Sequence, residues 1–249
     1  MEYETAVLTN VKTSSDKVSK RFNAMVYPLR GFNYKGVAWY QGEASKYWTY
    51  QVWLEAMVKN WRNTFGNSEL DFAIVQLPGF SQDGFAMVRE SQRVACLDDE
   101  NMHLSVNIDL GDKDDIHPHD KDVLTERLAN VIKKEVYGKD IDCYGPTFKS
   151  ASFGSGKITV SFDNVTELKT TDGNAPREFI IAGADGVFYV ADAVINGTTV
   201  ELSSENVPSP IYVRHAFEGF PRPNLVDEDE LPAEPFRTDS IDTVYPFEG

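Results

Sequence analysis

KGVAWYQGE, from Lys35 to Glu43, is a short β-prone apolar run closed by a glycine turn, and its junction with a helical repeat decides the fold. KGVAWYQ, Lys35 to Gln41, suits a buried strand that ends at Gly42. Tyr47, Tyr50, Leu54, Met57, Val58, Trp61 and Phe65 then recur at three- and four-residue steps, the apolar stripe of a helix, and Gly66 stands where a helix C-terminus favours positive φ. Downstream, LDFAIVQL (Leu70 to Leu77) predicts a second strand closed by Pro78 and Gly79. Gly84 to Leu97 predicts a second helix, with Met87, Val88, Val94 and Ala95 on one face. HLSVNIDL (His103 to Leu110) predicts a third strand. A loop from Gly111 to His119 leads to Asp120, placed to cap a third helix striped by Val123, Leu124, Leu128, Val131, Ile132 and Val136 and ended by Gly138. The order β-α-β-α-β-α predicts an α/β fold: a parallel sheet with helices on both faces, in three α/β/α layers. In such sheets the carboxyl edge carries function, so the loops at Gln41-Gly42-Glu43, Pro78-Gly79-Phe80 and Gly111 to His119 are expected to meet there.

After Gly145-Pro146 the pattern changes to short β runs between turn residues: KITVSF (Lys157 to Phe162), REFIIAG (Arg177 to Gly183), GVFYVADAVI (Gly186 to Ile195), TTVELSS (Thr198 to Ser204) and IYVRHAF (Ile211 to Phe217). Asn196-Gly197 is the strongest hairpin signal. Residues 1–145 are therefore expected to form an α/β domain. Residues 146–249 are expected to form a small antiparallel β domain, with a Pro-rich tail (Pro221, Pro223, Pro232, Pro235) lying extended over the surface.

The 249 residues carry 24 Lys and Arg against 39 Asp and Glu, a net charge of −15, with 41% apolar residues. That content excludes a disordered tail, and the acidic balance speaks against nucleic acid as a partner. No run of eighteen apolar residues occurs and MEYETAVLTN lacks the features of a signal peptide, so no membrane partner is expected. Cys96 and Cys143 are the only cysteines; free thiols and a single bridge both fit, and a Cys-rich zinc site does not.

Two polar clusters can do chemistry. In GDKDDIHPHD (Gly111 to Asp120), Asp114 and His117 stand three residues apart, which on a turn lets a carboxylate hold Nδ1–H of the imidazole and leaves Nε2 as a base. The plain alternative is a solvated acidic loop whose Asp residues cap the next helix. Metal binding by His117 and His119 with Asp112 or Asp114 lacks a third well-spaced ligand, so neither metal nor cofactor is expected. In WYQGE, Gln41 can donate to a developing oxyanion, Gly42 allows close approach, and Glu43 can orient a donor or a substrate hydroxyl; here the alternative is a turn that caps a helix. Trp39, Tyr40, Tyr47 and Trp48 read as core or rim aromatics, with sugar stacking the minority reading.

FNAMVYPLRGFNYKGVAWYQGEAS (Phe22 to Ser45), FAIVQLPGF (Phe72 to Phe80), RESQ (Arg89 to Gln92), IDLGDKDDIHPHDK (Ile108 to Lys121), YVRHAF (Tyr212 to Phe217) and PFRTD (Pro235 to Asp239) together resemble the sialate O-acetylesterase family. Its members are SGNH (GDSL-type) carbohydrate esterases with a flavodoxin-like core. The resemblance implies that the chain holds part of such a core, that His117 is the catalytic histidine, and that Gln41, Gly42 and Glu43 lie beside it. It implies Asp115 as the acid of D-I-H, whereas the D-x-x-H spacing favours Asp114. An O-acetylated sugar or glycan is the implied partner, and an extracellular or periplasmic location the implied setting.

The family's G-x-S block with its nucleophilic serine is expected upstream of this segment: the chain has no G-D-S, no G-Q-S and no G-x-S-x-G elbow, and GSGK (Gly154 to Lys157) falls in a turn of the second domain. An N-terminal segment with the first strands is thus expected to be missing, and the exposed sheet edge to favour a homo-oligomer. Two functions compete. One is an O-acetylesterase using Ser-His-Asp chemistry with the serine supplied from outside this chain. The other is a non-catalytic carbohydrate-binding or scaffold relative.

Overall fold

The computed structural model describes residues 19–45 and 47–240; the expected leader-free start at residues 1–10 lies outside them. Strands β1 (Gly36–Trp39), β2 (Asp71–Val75) and β3 (Met102–Ser105) form a parallel sheet in that order, with Val37 beside Phe72 and Phe72 beside Met102. Helix α1 (Tyr47–Phe65) joins β1 to β2, α2 (Phe85–Leu97) joins β2 to β3, and α3 (Asp122–Glu135) follows the loop after β3. Alternation along β2 assigns the faces. Phe72 and Ile74 enter a cluster with Tyr50, Leu54 and Val58 of α1 and Phe85 and Val88 of α2, while Ala73 packs with Leu128, Val131 and Ile132 of α3 on the other side. The α/β class expected from the periodicity is the one observed.

Local chemistry trims the predicted elements. β3 stops at Ser105 because Asn107 turns the chain: its side-chain amide donates to Ser105 O at 2.9 Å, and Leu110 N donates to Asn107 O at 3.1 Å. α3 begins at Asp122, where Asp120 Oδ1 accepts from the Asp122 amide at 3.0 Å. Val123, expected in the buried stripe, is 44% exposed.

In the second half, β4 (Thr147–Gly154), β5 (Lys157–Asp163), β10 (Thr199–Ser203) and β9 (Asp192–Asn196) form one antiparallel sheet. β13 (Phe236–Arg237), β11 (Tyr212–His215), β7 (Phe179–Ala182) and β8 (Phe188–Val190) form another. Both contribute to one apolar cluster that includes Ile158, Val160, Val200, Ile181 and Val213. The run GVFYVADAVI is not one strand; it divides at Ala191 between the two sheets. The Asn196-Gly197 hairpin closes as β9 and β10, with Asn196 paired to Thr199 and Gly197 at φ 62°.

The Pro-rich segment does not lie over the surface. β12 (Leu225–Val226) pairs with β6 (Lys169–Thr170) and β13 pairs with β11. Phe236 is fully buried and stacks on Phe148 at 4.2 Å. The prolines space Leu225, Ala233 and Phe236 so that each enters the apolar cluster, and Val226 is buried as well.

A buried chain of charges ties α2 to this segment. Arg93 makes two 2.9 Å hydrogen bonds to Glu90 and lies 3.9 Å from Glu234; Arg237 lies 3.9 Å from both Glu90 and Asp239; Asp239 accepts from Arg214 Nε at 2.8 Å. Three acids alternate with three bases, so each buried charge meets an opposite one. RESQ, YVRHAF and PFRTD all contribute to this chain.

Candidate active site

The three strand exits converge as the parallel topology dictates. Gly79 and Gly111 form a parallel bridge, with Gly79 N donating to Leu110 O at 2.8 Å. Gly111 is at φ 108°, and a Cβ there would lie 2.1 Å from Gly79 O, so this junction admits only glycine.

Gln41 sits at the exit of β1. Its carbonyl accepts from Tyr50 Oη at 2.7 Å and from Gln92 Nε2 at 3.2 Å, and its own side-chain amide donates to Ser45 Oγ at 2.9 Å. That amide gives one of its two N–H groups to a hydroxyl within its own turn, and the other N–H makes no hydrogen bond among the described residues, so it remains able to donate to an oxyanion. Gly42 is buried at φ 144° against Leu77 and Val88, and Glu43 is half-buried beside it. Glu43 also raises the phenol of Tyr40, where burial is the larger cause. A cavity of about 330 Å³ lined by Trp39, Gln41, Ser45 and Trp53 opens here. The side chain of Trp48 lies outside the described residues.

The loop from Gly111 to Asp120 is shaped by its own acids. Asp112 Oδ1 accepts from the Asp114 and Asp115 amides at 2.8 and 3.2 Å, and Asp115 Oδ1 accepts from the His117 amide at 2.8 Å. These are Asx turns, in which a short carboxylate replaces a backbone acceptor. His117 is exposed; among the described residues no hydrogen bond or ion pair joins its imidazole to Asp114 or Asp115. Asp115 Oδ2 instead lies 3.6 Å from His119 Nε2, with His119 almost wholly exposed. Asp114 is exposed and free of side-chain hydrogen bonds among the described residues. Lys121 joins this loop to the first one: its Nζ donates to Pro118 O at 2.8 Å and sits 5.3 Å from the Tyr40 ring, next to Gln41. Among the described residues no group of three or more His, Cys, Asp or Glu side chains is arranged to hold a metal ion, and no helix is long and apolar enough to cross a membrane. Cys96 and Cys143 are free thiols.

A family model of carbohydrate esterases, the sialic acid-specific acetylesterases, matches residues 9–134. The chain belongs to that family. Among its relatives are the sialate O-acetylesterases of mouse, 29% identical over 64% of this chain and 35% of the relative, and of human, 35% identical over 54% and 30%. The chain thus spans about a third of the length of these curated relatives. A carbohydrate acetylesterase from Xanthomonas citri superposes with a TM-score of 0.83 at 37% identity, covering 88% of this chain and 54% of that one. In the acetylesterase frame, two buried residues of RESQ gain roles that sequence reading left blank. Gln92 accepts from Leu77 N at 3.0 Å and donates to Val75 O and Gln41 O, both at 3.2 Å, stapling the exits of β1 and β2. Arg89 donates to Pro78 O at 3.4 Å, to Gly219 O at 3.3 Å and to Glu218 O, and its burial lowers the guanidinium to a pKa of about 9. The signal for both was the place of RESQ among the motifs of the family resemblance, which gave neither residue a role.

Proposed function

We propose that this chain carries the histidine-bearing part of a carbohydrate O-acetylesterase that hydrolyses acetyl esters of sugars or glycans. His117 is the general base, Asp114 the carboxylate that orients it with Asp115 as the alternative, and Gln41, Gly42 and Glu43 line the acetyl group. The serine comes from a segment outside these residues. In the reaction, His117 Nε2 takes the serine proton as Oγ attacks the acetyl carbonyl. The imidazolium then returns the proton to the departing sugar oxygen, and water releases acetate by the same route. Without such a hydroxyl no acyl-enzyme forms.

The observation that carries this reading is the meeting of the DIHP loop with the QGE loop through Lys121 and Tyr40, in a chain of the acetylesterase family. A second observation supports the outside serine. Among the described residues β1 pairs on one side only, and Met25, Phe32 and Trp53 are each exposed, at 67%, 64% and 62%. The competing reading, a non-catalytic sugar-binding relative, draws on the absence of a serine elbow.

The test is hydrolysis of p-nitrophenyl acetate by this chain, by His117→Ala, and by a form extended upstream through the serine block. A silent chain with an extended form that turns over only while His117 is present supports the proposal. An extended form without turnover favours the sugar-binding reading. Hydrolysis by the chain itself, lost on His117→Ala, overturns the outside serine and makes Ser81, the hydroxyl at the exit of β2, the first to replace.

A further inference from the structure

Lys121 stands where its chemistry is unfavourable to the helix it opens. It is the N-cap of α3 and makes no capping hydrogen bond there, although Ser, Thr, Asp and Asn are the residues that satisfy a free helix amide. A cation at a helix N-terminus also opposes the helix dipole, which favours carboxylates at that end. A residue that breaks the local rule of its own helix points to another use.

The side chain turns back over the preceding loop. Nζ donates to the carbonyl of Pro118, the residue after His117, at 2.8 Å, and stands 5.3 Å from the centroid of the Tyr40 ring. These are a charge-assisted hydrogen bond and a cation–π contact. Carboxylates are close at hand: Asp120 and Asp122 flank Lys121 in sequence, and Glu43 acts on the Tyr40 phenol by its charge. Among the described residues none of them forms an ion pair with the ammonium, which leaves it to the carbonyl and the ring.

The other side of His117 is fastened too. Ile116 is half-buried and packs against the apolar cluster of α1 and α2 that also takes in Trp39 and Tyr40. The loop thus reaches the exit of β1 through Ile116 before His117 and through Lys121 after it, while His117 itself is exposed. Tyr40 is a fixed seat, because the next carbonyl, that of Gln41, is held by both Tyr50 and Gln92.

We infer that Lys121 is a positioning residue, a latch that seats the His117 loop on Tyr40 and so sets the imidazole against the amide of Gln41. Its catalytic consequence rests on the esterase reading above; the latch itself rests on the loop contacts alone. Three variants separate the parts: Lys121→Ser removes the ammonium and supplies a better cap, Tyr40→Leu removes the ring, and Lys121→Arg keeps charge, donor and ring contact. In the chain as it stands, 15N relaxation is expected to give the amides of Asp115, Ile116, His117 and His119 order parameters of about 0.85, falling below about 0.6 in Lys121→Ser and Tyr40→Leu and returning in Lys121→Arg. The urea midpoint of Lys121→Ser is expected to hold or rise, since the cap improves. In the form extended upstream, Lys121→Ser is expected to lower kcat for p-nitrophenyl acetate about fivefold to tenfold with KM unchanged, and Lys121→Arg to restore it. A loop as ordered in Lys121→Ser as in the unaltered chain overturns the latch. A kcat that holds while the loop loosens overturns the positioning role, and a midpoint that falls together with kcat assigns Lys121 to stability instead. Loop order is read without turnover, so an extended form that is silent with Lys121 in place removes the esterase reading while relaxation still decides the latch.

Discussion

Gln92, fully buried on α2, donates its side-chain amide to the carbonyl of Gln41 at 3.2 Å and so fixes the exit of β1 against that of β2. Gln92→Leu leaves the buried Leu77 amide without its acceptor. The expected cost is about 1–3 kcal/mol, read as a lower urea midpoint with unchanged slope. An unchanged midpoint would remove Gln92 as the staple.

Gly111→Ala places a methyl 2.1 Å from Gly79 O at a positive φ. Backbone cannot retreat as a side chain can, so a loss of about 3 kcal/mol or more is expected, or failure to fold. Gly138→Ala, at φ 61° with nothing within 4 Å, carries only the backbone strain and is expected to cost about 1 kcal/mol. Thermal melts of the two variants separate contact from strain.

Glu234 and His215 give opposite pH slopes. Burial pushes the Glu234 carboxyl up to about 7 from 4.5, against the pull of Arg93. Its contribution is complete below pH 4.5 and lost as pH rises through about 7. Burial pushes His215 down to about 4 from 6.5, although Nδ1–H donates to Glu234 O at 3.1 Å. Its contribution is complete above pH 6.5 and lost as pH falls through about 4. The two offset each other between pH 4.5 and 6.5, so stability of the unaltered chain should be nearly flat there. Glu234→Gln should make stability rise with pH in that window, and His215→Gln should make it fall. Urea unfolding at several pH values checks both signs.

Asp114 and Asp115 separate by what each holds. Asp115 supports the His117 amide, so Asp115→Ala should lower stability by about 1 kcal/mol. The Asp114 side chain makes no hydrogen bond among the described residues, so Asp114→Ala should leave the melt unchanged and lower kcat of the extended form by on the order of ten-thousandfold. Equal kcat losses with intact melts would reassign the acid.

The side of β1 that has no partner strand among the described residues, with Trp53 and Phe32 exposed, should pair with another chain at high concentration. Light scattering after size exclusion should show dimers that weaken on Trp53→Lys. A monomer at every concentration would count against this edge as a pairing surface.

The sequence made some of this legible because one periodicity ruled at a time. Tyr50, Leu54 and Val58 fall on a single stripe of α1, and the strand exits at Gln41, Pro78 and Gly111 had to share an edge once the sheet was parallel. α2 hid its role because it is buried nearly all round: Arg89, Glu90, Gln92 and Arg93 read as a solvent face and are interior. The last segment hid for a related reason, since prolines signal an exposed strap and here they space residues into a core. In the DIHP loop, spacing favoured Asp114 as partner of His117, while the turn chemistry uses Asp115 to bind the backbone. Spacing alone does not distinguish a carboxylate that shapes a loop from one that serves an imidazole.

The alternating chain from Glu234 to Arg214 also imposes an order on biosynthesis. Glu90 and Arg93 leave the ribosome long before Arg237 and Asp239 exist, so a nascent α2 holds only its internal Glu90–Arg93 pair and gains the rest of the chain of charges when nearly all the described residues have been translated. A chain that stops ahead of Glu234 lacks Glu234, Arg237 and Asp239 together, and so leaves the buried Arg214 without its carboxylate.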